Sequence, residues 1–139
     1  MILVINTAES NKLVIAITRD DFILDKTVVR VQYKESEKLL STVDKLLKKN
    51  KVKLTDLQGV VVVKGPGGFS SVRVGVVVAN TLSYALQIPV VGVKLSEFED
   101  LQGLIKMGKL RLKKTRVGET VEPFYGREPN ITGSKWLTK

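Results

Sequence analysis

The stretch GVVVVKGPGGFSSVRVGVVVANTLSYALQIPVVGV, residues 59–93, decides the fold of this 139-residue chain. Residues 60–63 are four consecutive valines, and a short β-branched run bounded by glycine is typical of a strand buried on both faces. A glycine-rich loop follows, then an apolar helix at residues 70–86 and a second buried strand at residues 89–93. Two such strands joined by one helix predict a parallel βαβ unit.

The loop between the first strand and the helix, KGPGGFSS at residues 64–71, has two interpretations. A glycine loop at a helix N-terminus directs backbone N–H groups at an anion, which indicates a phosphate contact. Neither GxxxxGK[ST] nor GxGxxG with a following acid is present, however. The alternative is a tight turn that lets the helix pack closely on the sheet, with Ser70 or Ser71 as its cap. The candidate phosphate contacts are Gly65, Gly67, Gly68, Ser70 and Ser71.

The helix after the loop carries a stripe of small residues. Gly75, Ala79 and Ser83 recur every four residues, so they lie on one helix face. Such a stripe lets another backbone approach, either a neighbouring helix of the same fold or a helix of another subunit. The helix is apolar nearly all round, which indicates that both of its sides are covered.

The segments before residue 59 predict three strands and a helix. Residues 2–6, 12–18 and 22–33 are apolar or alternating runs separated by short polar turns, as in an antiparallel meander. Residues 36–50 place leucines and a valine at i, i+1, i+4, i+7 and i+8, which is one apolar helix stripe. The order β-β-β-α-β-α-β predicts an α/β fold with a mixed sheet, which suits a single ribonuclease H-like (actin-like) lobe.

The segment after residue 93 predicts a short helix and a basic C-terminal extension. Ser96 is expected to cap a helix that Gly108 ends. Residues 109–117, KLRLKKTRV, are expected to form an edge strand or a loose basic segment. We therefore expect one lobe at residues 1–107, with an extension at residues 108–139 that packs on the lobe and is not an independent domain.

The composition excludes several classes of site. The sequence has no histidine and no cysteine, so a disulfide framework, a cysteine metal site and the commonest general base are excluded. We expect no metal site, no catalytic residue and no cofactor of the chain's own. No run of 18 apolar residues occurs and the N-terminus has the pattern of a strand, so we expect a cytoplasmic protein with no membrane contact.

The net charge of +9 is concentrated near the C-terminus. Residues 1–100 hold 14 basic and 11 acidic residues, whereas residues 101–139 hold 9 and 3. A basic end on a near-neutral body indicates either contact with RNA or another polyanion, or a solubilising tail. The candidate RNA contacts are Lys106, Lys109, Arg111, Lys113, Lys114 and Arg116.

Five phrases resemble one protein family. GPGGFSSVRVG at residues 65–75 and IPVVGV at residues 88–93 resemble the GPGSFTGLRIG and IPLVGV phrases of the TsaB (YeaZ) family. MILVINTA at residues 1–8 is similar to that family's ILAIDTS, and ESEKLLSTVDKLL at residues 35–47 to its HSERLLPLIDELL. A late phrase, PFYGREP at residues 123–129, resembles its P-x-YLR-x-P.

This resemblance implies an accessory subunit that acts in the threonylcarbamoyladenosine modification of tRNA. It implies that helices 36–50 and 70–87 pair with a TsaD-like catalytic subunit, or with a second copy of the chain when it is alone. A TsaE-like ATPase and tRNA are further implied partners, and a nucleotide at a partner interface is compatible with it. Gly75→Leu is then expected to abolish the pairing and leave the fold intact. The expected interface residues are Leu39, Val43, Leu46, Val72, Gly75, Val76, Ala79 and Ser83.

Departures from the family pattern argue against catalysis. Asn6 stands where the wider superfamily has a first-strand acid, and an amide carries no charge for a cation, so magnesium-dependent ATP hydrolysis is not expected. Glu35 replaces the histidine of the family's HS phrase, and the family's second lobe is expected to be missing. We therefore expect a non-catalytic scaffold, a pseudoenzyme. The alternatives are a small basic RNA- or phosphate-binding module and an enzyme of the phosphotransferase or peptidase type.

Overall fold

The computed structural model describes residues 1–9, 12–30 and 35–126, with all side chains except those of residues 35–37 and 69. The strands are β1 (Ile2–Asn6), β2 (Lys12–Arg19), β3 (Phe22–Arg30), β4 (Gly59–Gly65) and β5 (Val90–Lys94). The helices are α1 (Glu35–Lys49), α2 (Phe69–Leu86) and α3 (Leu101–Leu112), with 3-10 turns at Leu54–Asp56 and Leu95–Glu97. The predicted elements up to β5 are confirmed, while residues 31–33 of the expected third strand lie outside the described residues.

The five strands form one mixed sheet in the order β3-β2-β1-β4-β5. β1 pairs antiparallel with β2, and β2 with β3, so the predicted meander is confirmed. β1 pairs parallel with β4, and β4 with β5, as the βαβ unit predicts. The four valines of β4 are fully buried, because helices cover both faces of the sheet at this central strand.

Helices α1 and α2 lie together on one face of the sheet and α3 lies on the other. Val61 and Val4 are cross-strand neighbours, so their side chains share a face, and Gly108 of α3 packs against Val61. On the opposite face, Gly75 of α2 lies against Thr7. α1 contacts α2 and packs on β2 and β3. The three helices are therefore divided between the two faces of the sheet.

The predicted ends of the last helix are wrong at both termini. Asp100, not Ser96, caps α3: its Oδ1 accepts a hydrogen bond from the Gly103 N–H at 2.8 Å, and Ser96 lies in the preceding 3-10 turn. Gly108 does not end the helix but lies buried within it. A Cβ added there would lie 2.5 Å from Val61, so the glycine is needed for close helix–sheet packing rather than for a helix terminus.

The expected edge strand or loose segment at residues 109–117 is wrong for residues 109–112, which continue α3. Leu112 lies over Gly59 at the start of β4, where an added Cβ would come within 3.0 Å of it. The helix therefore runs across the expected lobe boundary at residue 107.

Residues 118–126 form neither helix nor strand, and they are tied to the lobe by hydrogen bonds. The Asn80 side chain of α2 donates to the Val121 carbonyl and accepts from the Val121 N–H, both at 2.9 Å. The Phe124 N–H donates to the Lys64 carbonyl at 2.7 Å. The later part of the PFYGREP phrase, from residue 127 onward, lies outside the described residues.

Candidate interaction surfaces

The small-residue stripe of α2 faces the sheet. Gly75 lies against the Thr7 side chain, whose hydroxyl donates to the Ser71 carbonyl at 2.6 Å. Ala79 is fully buried, and the Ser83 hydroxyl donates to the Ile88 carbonyl. The stripe therefore serves close packing within the lobe.

All the residues expected at a partner interface are buried in this lobe. Apart from Gly75, which has no side chain, each is at most 4% exposed. In the single chain, the leucine stripe of α1 and the inward face of α2 pack within the lobe. The assignment of these side chains to a partner interface stays a prediction. The buried residues are Leu39, Val43, Leu46, Val72, Gly75, Val76, Ala79 and Ser83.

The outward faces of the same helices carry different apolar residues. Val77 and Tyr84 of α2 are 59% and 80% exposed, and Leu40 of α1 is 53% exposed. Val77 and Tyr84 are seven residues apart, two helical turns, so they share one face. We call Leu40, Val77 and Tyr84 the outward helix face. The sequence signal for it was the apolar character of α2 all round, which indicated a second covered side.

The glycine loop is packed closely against its neighbours. Gly67 lies against the backbone of Ala8 and Gly65 against that of Phe124, with no room for a Cβ at either position. Gly68 is the N-cap of α2, without a side-chain cap bond, so the expected cap at Ser70 or Ser71 is wrong. This packing is the arrangement that the tight-turn interpretation predicts, and the phosphate contact stays a prediction.

Asn6, at the end of β1, has both polar atoms of its amide hydrogen-bonded within a local turn. Asn6 is only 4% exposed. Its Oδ1 accepts from the Ala8 N–H at 2.9 Å, and its Nδ2 donates to the Glu9 carboxylate at 2.8 Å. Asn6 therefore shapes the turn after β1 and offers a cation no charge.

The six expected RNA contacts separate into two groups. Arg111 is held by Glu97 and by the Gly92 carbonyl at 2.8 Å, and Lys109 donates to the Asp20 carbonyl and the Asp21 carboxylate. These two cations fasten α3 to the sheet and to the β2–β3 turn. The others are exposed on the surface: Lys106, Lys113, Lys114 and Arg116.

The Arg111–Glu97 ion pair is held by two hydrogen bonds and strongly favours the charged form of Glu97. Arg111 donates to the two Glu97 oxygens at 3.0 and 2.5 Å, and the Lys94 N–H donates to one of them at 2.8 Å. These bonds, with that of Arg111 the largest cause, lower the pKa of Glu97 from 4.5 to about 2. The pair joins the turn after β5 to the last turn of α3.

Glu97→Gln is expected to lower the free energy of unfolding by about 1 to 2 kcal/mol near neutral pH, a value reduced because the pair is partly exposed and screened. The pKa is depressed in the folded state, so the stabilisation is present above pH 4.5 and is lost as the pH falls toward about 2. Urea unfolding across that range measures it. Glu99→Gln, at an exposed position, is the control. A difference between Glu97→Gln and wild type that stays constant down to the lowest pH contradicts the assignment.

A cluster of metal ligands and a membrane-spanning helix are both absent from the described residues. No group of three or more acidic side chains in ranges 1–9, 12–30 and 35–126 is placed to hold a metal ion. No helix in that part of the chain has both the length and the apolar character needed to cross a membrane.

A family model described as "TsaD: tRNA N6-adenosine threonylcarbamoyltransferase" matches residues 30–117, more than half of the chain. The chain belongs to the TsaD family. The matched segment runs from the end of β3 through α3, so it includes both helices of the outward face and the whole βαβ unit.

The proteins to which this chain is similar include two with different names. The "tRNA threonylcarbamoyladenosine biosynthesis protein TsaB" of Bacillus subtilis is 34% identical over 83 residues, which is 60% of this chain and 36% of that protein. The "tRNA N6-adenosine threonylcarbamoyltransferase" of Syntrophotalea carbinolica is 34% identical over 73 residues, 52% of this chain and 21% of that protein. The chain thus spans about a third or less of the length of these relatives.

A solved structure, YeaZ from Pseudomonas aeruginosa, matches with a TM-score of 0.62 and 27% identity over 67% of this chain and 43% of that one. With the TsaB relatives, it confirms that this TsaD-family chain is of the TsaB (YeaZ) type. The expected ribonuclease H-like (actin-like) fold is confirmed by the same match.

Proposed function

We propose that this chain is a non-catalytic scaffold or activator subunit of the machinery that forms threonylcarbamoyladenosine in tRNA. Its partner is a TsaD-like catalytic subunit, and a second copy of the chain takes that place when it is alone. Support comes from membership of the TsaD family and from relatives named for this pathway. The proposed role in tRNA modification places the chain in the cytoplasm, beside tRNA and a TsaE-like ATPase.

The observation that carries this proposal is the outward helix face. Val77 and Tyr84 project from α2 on the side away from the sheet, where they leave 59% and 80% of their surface exposed. Large apolar side chains at helical spacing suit a helix-on-helix contact, in which a valine and a tyrosine contribute most of their energy by burial. The pairing helices are those that the family resemblance implies, but the contacting side chains differ from those first expected.

The non-catalytic character rests on the chemistry at the end of β1. Both polar atoms of the Asn6 amide are hydrogen-bonded to neighbouring residues, and the amide carries no charge with which to hold a cation. The chain also has no histidine and no cysteine. Neither a catalytic group nor a cofactor of this chain is needed for the proposed role.

Val77→Glu is expected to weaken pairing at least ~30-fold, because an unpaired carboxylate buried in an interface costs roughly 2 kcal/mol or more. Light scattering across a dilution series, with the chain alone and with a TsaD-family protein from the same source, gives the dissociation constants. The fold should be unchanged, since Val77 is 59% exposed.

Val28→Glu is the matched control for that experiment. Val28 is a valine on β3 with 54% exposure, and it lies away from α1 and α2. It should pair like wild type. Equal weakening by both variants, or pairing of Val77→Glu as tight as wild type, contradicts the outward helix face as the pairing surface.

A further inference from the structure

A groove of about 480 Å³ lies along one flank of α3 and ends at the β2–β3 turn. Three lysines line it at spacings that place them on one flank: Lys106 and Lys109 of α3, and Lys113 at the helix C-cap. Asp21 is the acid in this lining, and it is paired with Lys109 at 2.7 Å. Lys106 and Lys113 have no ion pair with any residue that the structure describes. The lining of the groove therefore carries three lysines against one acid.

The open face of the sheet beside α3 adds further cations. Val4, Ala16 and Lys26 are successive cross-strand neighbours, so Lys26 lies on the α3 face of the sheet. Val28 and Arg30 follow Lys26 along β3 at intervals of two residues, so they lie on the same face. Lys26, Val28 and Arg30 are all exposed. α3 packs on β4 and β5, which leaves this end of the sheet uncovered by helix.

We propose that this basic surface, defined by Lys26, Arg30, Lys106 and Lys113, binds the phosphate backbone of RNA. It lies on the opposite side of the sheet from the outward helix face. The two surfaces are therefore separate, and the chain can hold RNA and a protein partner at the same time.

Two features favour RNA over an acidic protein partner. Lysines on long flexible stems contact successive phosphates without fixed geometry, which suits a backbone of repeated charge. The net charge of +9 favours association with a polyanion at long range.

The test is the binding of a fluorescently labelled tRNA transcript to the full chain, measured by anisotropy over a series of salt concentrations. The double variant Lys106→Glu with Lys113→Glu is expected to weaken binding at least ~30-fold at low salt. The slope of log affinity against log salt should become shallower by about 1 to 2, since each lost phosphate contact lowers it by about 1.

The double variant Lys48→Glu with Lys53→Glu makes the same charge change away from the groove and is the control. Equal weakening by both double variants overturns the site, because net charge alone then explains binding. Wild-type affinity of the groove variant also overturns it. Displacement of the tRNA by poly-glutamate at equal charge concentration assigns the surface to an acidic protein instead. Pairing measured by light scattering is a separate readout, so loss of RNA binding is distinguishable from loss of the scaffold role.

Discussion

Replacing Gly75 with leucine is expected to lower the free energy of unfolding by about 3 kcal/mol or more, since overpacked cores lose about 1 to 3 kcal/mol and this site has little room to relax. Gly75 is buried where α2 crosses Thr7 at the end of β1. Any side chain there meets the Thr7 hydroxyl, which is fixed by its bond to the Ser71 carbonyl. Either α2 moves off the sheet or that buried bond breaks.

Urea unfolding followed by circular dichroism measures this effect, with Val77→Leu on the outward side of the same helix as the control. The control should stay within about 0.5 kcal/mol of wild type, as surface substitutions do. A Gly75→Leu variant as stable as wild type would mean that α2 does not approach β1 this closely. The sequence-based expectation for Gly75→Leu, lost pairing with an intact fold, is thus replaced by lost stability.

The sequence predicted the sheet well because its signals are local. The valine run of β4 can only be buried on both faces, and it lies at the centre of the sheet with neighbours on both sides. The short polar turns between the first three strands leave an antiparallel meander as the simplest connection, and the register confirms it.

The direction in which a helix stripe points is not a local property. The stripe of Gly75, Ala79 and Ser83 predicted a close approach by a helix of the same fold or of another subunit, but Gly75 lies against the Thr7 side chain at the end of β1. That contact depends on where β1 ends, and the periodicity of α2 carries no information about it. The true outward residues, Val77 and Tyr84, were hidden because α2 is apolar on both sides.

The same limit explains the errors at α3. Gly108 resembles a helix terminus in sequence, yet its missing side chain lets α3 contact Val61 of a strand more than forty residues earlier. Leu110 and Leu112 alternate like a strand, but in the helix one is 52% exposed and the other packs over Gly59. A segment this short fits the helix pattern and the strand pattern equally well, so packing against the sheet decided that it is a helix. The surplus of positive charge near the C-terminus is visible in the sequence. That Lys26 and Arg30 of β3 lie on the same face of the sheet as α3 becomes visible only from the strand register.

Gly65→Ala is expected to destabilise the fold by roughly 3 kcal/mol or more, from two independent causes. Gly65, the last residue of β4, has φ of +122°, where an L side chain is strained. Its Cβ would also meet the Phe124 carbonyl oxygen, which is backbone and cannot rotate away. Relief requires residues near Phe124 to leave β4, and that breaks the 2.7 Å bond from the Phe124 N–H to the Lys64 carbonyl.

Gly118→Ala separates the two causes. Gly118 has a similar φ of +103°, but no atom lies within 4 Å of an added Cβ, so only the backbone strain of about 1 kcal/mol should appear. The midpoint temperature of thermal unfolding should then fall by about 10 °C for Gly65→Ala and by only a few degrees for Gly118→Ala. Hydrogen exchange at the Phe124 amide should speed up in the first variant alone. Equal losses in both variants would mean that the segment at Phe124 does not pack on β4, and the path of the chain after α3 would need revision.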